Sequence, residues 1–215
     1  MWVVKIGGSL AFSKTLSAWL EVLVRYGGGR VIIVPGGGRF ANLVRRAQQY
    51  WKFADDTAHC MALSAMDQFG LMMAGIRREL TPAADVYHLR KTLGETRVPI
   101  WLPSTMAVAN NAIAASWEFS SDSLAAWLAS HIEAHRLILV KSFNPYWVEV
   151  PVSDLSAQAI VDQHFAAMIE KAHFETWLLG DKGHEVMAKA LSLGAAPGTR
   201  VIPRASQLGE LSDVM

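Results

Sequence analysis

Two lysines carry the most telling chemistry in this chain. Lys5 lies in Val3-Val4-Lys5-Ile6-Gly7-Gly8-Ser9, an apolar run that breaks into a glycine pair and a serine, and Lys141 closes Leu137-Ile138-Leu139-Val140-Lys141. A lysine among Val and Ile on a buried strand must find an anion or remain outside. A second β-branched run, Arg30-Val31-Ile32-Ile33-Val34-Pro35, empties into Gly36-Gly37-Gly38. Glycines at a sharp turn leave backbone N–H groups bare for an anion. Asp122, in Ser120-Ser121-Asp122-Ser123, stands at the start of a helical pattern. Alone it reads as a helix cap; between two lysine strands it reads as the carboxylate that holds them. A phosphoryl group in flight spreads charge over its equatorial oxygens, so an enzyme needs fixed cations and N–H donors around it, with magnesium. No general base is required when the acceptor is already an oxyanion.

The elements that must position these residues follow from periodicity. Strands are expected at the two glycine-ended runs, at 86–88, 99–102, 137–141, 147–150, 176–179 and 200–202, and helices from 16 to about 26, at 40–50, from 55 to about 80, at 120–132, from 157 to about 172 and at 185–193. Asp55-Asp56-Thr57 offers a cap for the long helix, Thr81-Pro82 a stop, and its methionines suit packing on a second subunit, a bridge under the pocket or, equally, plain core. The stretch 107–115 fits strand or helix equally. Strands alternating with helices predict an α/β class with a largely parallel sheet, whose strand ends would open both glycine loops onto one pocket.

Composition narrows the setting. With 20 basic and 19 acidic residues the net charge is +1, so no field is available to hold nucleic acid and no basic run suggests a membrane patch. The single cysteine, Cys60, excludes a disulfide framework and a CxxC metal site. Met1 leads directly into the first strand, and no apolar run approaches the roughly 20 residues of a membrane span. A cytoplasmic protein is expected. The chain has no GxxxxGK[ST], and Gly36-Gly37-Gly38-Arg39-Phe40-Ala41 does not fit the dinucleotide pattern GxGxxG.

Taken together, KIGGS, VPGGG, SSDSLAAWLA, LVKS and the Gly198-Thr199 pair resemble the amino acid kinase family. The segment from Trp117 to Ser123, with Ala58-His59-Cys60-Met61-Ala62 and Met66-Asp67, is similar to the small kinases of methanofuran biosynthesis, which convert [5-(aminomethyl)furan-3-yl]methyl phosphate to its diphosphate with ATP. The resemblance implies a three-layer αβα sandwich and one kinase-like domain over 1–215, with an acceptor half to about residue 135 and a nucleotide half from about 136. It implies ATP and Mg²⁺ and a phosphorylated small-molecule acceptor; the methionine-rich helix, separately, suggests a homodimer or larger assembly. Lys5 and Lys141 would stabilise the transferred group, Asp122 would organise them, and Gly7, Gly8, Ser9, Gly36, Gly37 and Gly38 would line the phosphate path. His59, read from its residue type alone, is either an acceptor contact or an ordinary helix histidine with its bonds met. Ser142, Phe143, Asn144 and Trp147 would meet the nucleotide, and no residue is assigned to a protein metal site. Many relatives carry Asp-Gly shortly after the second lysine, where this chain has Asn144-Pro145. That departure supports an alternative: a nucleotide-binding sensor or storage protein without turnover. Asp55, Asp56 and Asp67 are default cap or surface acids, and become candidates if the acceptor carries an ammonium group.

Overall fold

The computed structural model describes residues 1–110, 113 and 115–203. Its centre is β1 (Trp2–Ile6), which pairs in parallel with β2 (Val31–Pro35) on one side and β5 (Arg136–Val140) on the other. All three are near-continuous apolar runs, the composition of strands covered on both faces. Outward from β2 lie β4 (Val98–Trp101) and then β3 (Leu80–Ala83); outward from β5 lie β7 (Glu175–Leu179), β8 (Thr199–Ile202) and β6 (Glu149–Pro151). β8 runs antiparallel to β7 and parallel to β6, so the eight-stranded sheet has six strands in one direction and a reversed pair at one edge.

Helices cover both faces. Trp19, Leu20 and Leu23 of α1 (Leu16–Gly27) and Met187 and Leu191 of α9 (His184–Leu193) pack with Val4, Ile6 and Val140 in one core. Leu124 and Leu128 of α6 (Ser121–His131) and Phe165 of α8 (Gln163–Ile169) pack with Val3, Leu137 and Leu139 in the other. The result is a mostly parallel three-layer α/β sandwich. α2 (Gly38–Trp51) follows the second glycine loop, and α3 (Asp55–Ile76) serves both cores, with Leu63 and Met66 in one and Phe69 and Met73 in the other.

Several elements differ from the sequence expectation. α3 ends at Ile76, and 80–83 is a strand. Pro82 is tolerated there because β3 is at the sheet edge, where a missing N–H costs no ladder bond. The cap before α3 is Ala54, without a side-chain bond, and Asp55 and Asp56 occupy the first turn, where a carboxylate suits the helix dipole. Residues 86–88 open α4 (Val86–Gly94) and are not a strand: Asp85 accepts the His88 backbone N–H at 2.8 Å and nucleates the turn. In the ambiguous stretch, α5 (Ser104–Val108) is a short helix, and residues 111, 112 and 114 lie outside the described residues. The helix expected over 157–172 is two: α7 (Val152–Ala157) ends first, Ala159 takes φ 54°, and Asp162 caps α8 by accepting from Phe165 N at 2.8 Å. No helix among the described residues is long and apolar enough to cross a membrane.

Candidate active site

Alternation along β1 decides where Lys5 points. Val4 and Ile6 face the α1–α9 core, so Val3 and Lys5 face α6. The parallel register Ile6↔Val140 then sets Lys141, the residue after β5, beside the end of β1. Both lysines thus stand at the carboxyl ends of the two central strands, where the chain order reverses from β1 to its neighbours.

Asp122 meets them from the first turn of α6. Ser120 caps that helix, its Oγ accepting from Asp122 N at 3.2 Å. Lys5 Nζ lies 2.8 Å from Asp122 Oδ1 and Lys141 Nζ donates to Oδ2 at 2.5 Å, with Lys5 and Asp122 about 5% exposed. Burial pushes the Asp122 carboxyl up, but the two ammonium groups and their hydrogen bonds outweigh it and bring the group down to about 2. Burial lowers Lys141, opposed by the charge of Asp122 and reinforced by that of Lys5. Two ammonium groups on one carboxylate leave cationic excess at their tips, which an incoming anion relieves.

A second tier holds this triad. Lys141 Nζ also donates to the Ile160 carbonyl at 2.6 Å. Two residues on, Asp162 accepts from Ser120 Oγ at 2.6 Å and Ser123 Oγ at 2.5 Å, tying the 158–162 turn to the start of α6. Neither Asp162 nor the Ile160 carbonyl stands out in the sequence, because a continuous helical pattern over 157–172 hides the turn. The aspartate three residues before Phe165 was the available sign of a cap.

The two glycine loops touch backbone to backbone. A Cβ on Gly8 would collide with Gly38 N and Cα, and one on Gly38, at φ 53°, would collide with the Gly8 carbonyl. Gly7 N donates to the Val140 carbonyl at 2.9 Å and Gly36 N to the Ile6 carbonyl at 2.9 Å, so both loops hang from the strands that carry the lysines. Gly37 begins α2 with no side-chain cap, leaving the first amides of that helix open to an anion. Ser9 is exposed on the short turn that follows Gly8.

Beside these loops is a cleft of about 190 Å³ between α2, α3 and the segment leading into α6. Gly37, Gly38 and His59 line it. His59 Nε2 is buried with no hydrogen-bond partner among the described residues, and burial lowers its pKa. Of the three candidate acids only Asp55 faces this cleft. Asp67 instead binds the Ser104 hydroxyl and amide, its carboxyl raised by burial, and Asp56 accepts from Thr57 N at 2.5 Å. The opposite wall holds Trp117, whose indole N–H donates to Gln48 Oε1 at 2.6 Å, with the Arg45 guanidinium 4.5 Å from its ring centre.

The loop after Lys141 lies apart from that cleft. Ser142 and Asn144 are exposed, while Phe143 and Trp147 lean on the core beneath α6. The Trp147 carbonyl accepts from Thr199 Oγ1 at 2.5 Å, and its ring centre is 4.2 Å from that of Tyr146. Gly180 sits hard against this loop, where a Cβ would be 2.7 Å from Asn144 Cα and the Phe143 carbonyl.

A lysine pair on one buried carboxylate, under two contacting glycine loops at the switch point of a parallel sheet, is the layout of a phosphotransferase. The sequence places it in a known class: residues 1–144 match the amino acid kinase family, and the chain belongs to that family of phosphotransferases. Among its relatives is [5-(aminomethyl)furan-3-yl]methyl phosphate kinase of Methanocaldococcus jannaschii, 24% identical over 195 residues, which cover 86% of this chain and 90% of that protein. Uridylate kinase from Archaeoglobus fulgidus shares the fold with a TM-score of 0.70 at 16% identity, over 93% of this chain and 99% of that one. Isopentenyl phosphate kinase does so with a TM-score of 0.60 at 14% identity, over 93% and 99%.

Proposed function

We propose that this chain is an ATP-dependent kinase that phosphorylates the phosphate group of a small acceptor, and that the acceptor is [5-(aminomethyl)furan-3-yl]methyl phosphate, made into its diphosphate. The single observation behind the reading is the pairing of Lys5 and Lys141 on Asp122 beside the Gly8–Gly38 contact. The relative from Methanocaldococcus jannaschii supports the acceptor, and the single exposed Cys60 suits a cytoplasmic enzyme.

An acceptor phosphate oxygen attacks Pγ in line, forming the new O–P bond as the bond from Pγ to the bridging oxygen of ADP breaks. Both lysines then turn from sharing Asp122 to sharing the equatorial oxygens and the leaving ADP oxygen, and Asp122 keeps them aimed. Amides of Gly8, Gly37 and Gly38 hold the migrating group, with Gly7, Ser9 and Gly36 shaping their loops. Neutral His59 offers its unpartnered Nε2 to the acceptor. Residues to about 135 form the acceptor half; from about 136 onward, Ser142, Phe143, Asn144 and Trp147 face the nucleotide. Among the described residues no three His, Cys, Asp or Glu side chains converge on a metal site, and both Asp122 and Asp162 are engaged. Magnesium would ride on nucleotide phosphates and water, where it would neutralise phosphate charge.

ADP release measured with the furan phosphate, UMP, isopentenyl phosphate and free amino acids tests the assignment. Turnover is expected with the furan phosphate above the others. A preference for UMP or an amino acid would overturn the acceptor, and ATP binding without ADP release on any of them would favour the sensor alternative.

A further inference from the structure

We infer that Asp55 selects acceptors bearing a cationic arm, so that the cleft takes a small molecule with phosphate at its inner end and an ammonium group at its outer end. This rests on the kinase reading above. The cleft has a direction set by α3. At its inner end Met66 Cγ is 3.9 Å from the position of a Cβ on Gly37, which puts Met66 against the glycine loop. Asp55 is eleven residues nearer the N-terminus, about 16 Å along the helix axis, and His59 lies between them, one turn or about 6 Å from Asp55. Measured from His59, Asp55 is one small ring with short arms away, so a phosphate held at His59 brings an ammonium arm within its reach.

The environment of Asp55 prepares it for a cation. Indole N–H is only a donor, so Gln48 must turn its carbonyl to Trp117; its amide then donates to Asp55 Oδ1 at 2.7 Å and the Phe53 carbonyl at 3.2 Å. One hydrogen bond orients the carboxylate and leaves its other lone pairs open. The neighbouring guanidinium of Arg45 is stacked on Trp117, and Asp55 forms no ion pair among the described residues. Trp117 and Phe119, both on the cleft wall, suit a flat ring between the two charged ends. A first-turn acid serving only the helix dipole needs neither the Gln48 tether nor a place on the cleft wall.

The test uses the full chain with Mg·ATP and two acceptors, [5-(aminomethyl)furan-3-yl]methyl phosphate and the analogue with methyl in place of aminomethyl. The wild-type protein is expected to favour the amine in kcat/KM by roughly tenfold to a hundredfold, the range of a charge-assisted hydrogen bond. Asp55→Asn should collapse that ratio toward one, chiefly through KM for the amine. Gln48→Leu, which frees the carboxylate without removing it, should shrink the ratio less. An unchanged ratio in a folded Asp55→Asn protein, or a wild-type enzyme that uses both acceptors equally, overturns the inference and leaves the kinase reading intact. Turnover of neither acceptor alongside turnover of UMP overturns the inference and the furan acceptor together, and leaves phosphoryl transfer from ATP standing.

Discussion

The two sides of this active site are built differently. On the side proposed to take the acceptor, two glycine loops press backbone against backbone and α2, α3 and the start of α6 enclose a cleft, with a hydrogen-bond relay from Trp117 through Gln48 to Asp55. On the other side, the loop after Lys141 is exposed at Ser142 and Asn144, backed by a reversed strand pair and by Gly180. The lysine–aspartate triad joins them, one lysine from each side. A cleft with fixed walls discriminates among small acceptors, whereas an open loop needs only to hold a ligand common to many enzymes. Specificity should therefore reside in α2, α3 and the start of α6, and nucleotide affinity in the loop beyond β5.

The sharpest way to break the contrast is to add one carbon on each side. Gly8→Ala drives a methyl into Gly38 and should shift the phosphate cradle, lowering kcat on the order of 10² and stability by about 1–3 kcal/mol. Gly180→Ala pushes on Asn144 and Phe143 instead, and should raise KM for ATP by about tenfold, 1.4 kcal/mol, with little change in KM for the acceptor. Steady-state kinetics in both substrates, with chemical denaturation alongside, separates the two. Equal effects on both substrates from both variants would abolish the distinction.

A smaller effect is expected from pH. Asp122 titrates at about 2 in the folded protein against 3.8 as an ordinary side chain, so the folded state holds its proton less readily than the unfolded one. The stabilisation is present above about pH 4 and is lost as pH falls toward 2, on the order of 2 kcal/mol in all. His59, lowered by burial, shifts in the same sense near neutrality: its share of stability is present above about 6.5 and declines as pH falls below that value. Urea unfolding across pH 2–7 should show both slopes, with the acid one reduced in Asp122→Asn.

Much of this architecture was legible in the chain. Glycine-ended β-branched runs mark β1 and β2, an apolar run closed by a lysine marks β5, and a lysine in such a run cannot be idle, so Lys5 and Lys141 stand out from the sequence. What periodicity missed was local turn chemistry: Asp85 and Asp162 are caps whose side-chain bonds to the helix amides override an apolar pattern, turning an expected strand into α4 and splitting α7 from α8. The edge strand β3 was concealed because Pro82 argues against a strand unless the edge position is known. The cleft wall was hidden for another reason. Trp117 is 69 residues from Gln48, and only the packing of the segment before α6 against α2 brings it to the Gln48–Asp55 pair.

The central claim is that Lys5 and Lys141 act as a unit on one transferred phosphoryl group, through Asp122. The direct measurement is the single-turnover rate of phosphoryl transfer from Mg·ATP to the furan phosphate for wild type, Lys5→Ala, Lys141→Ala and the double variant. Each single change is expected to lower the rate by on the order of 10² or more, and the double variant to be scarcely slower than the worse single. A near-wild-type rate in either single variant, or losses that multiply in the double one, would contradict it.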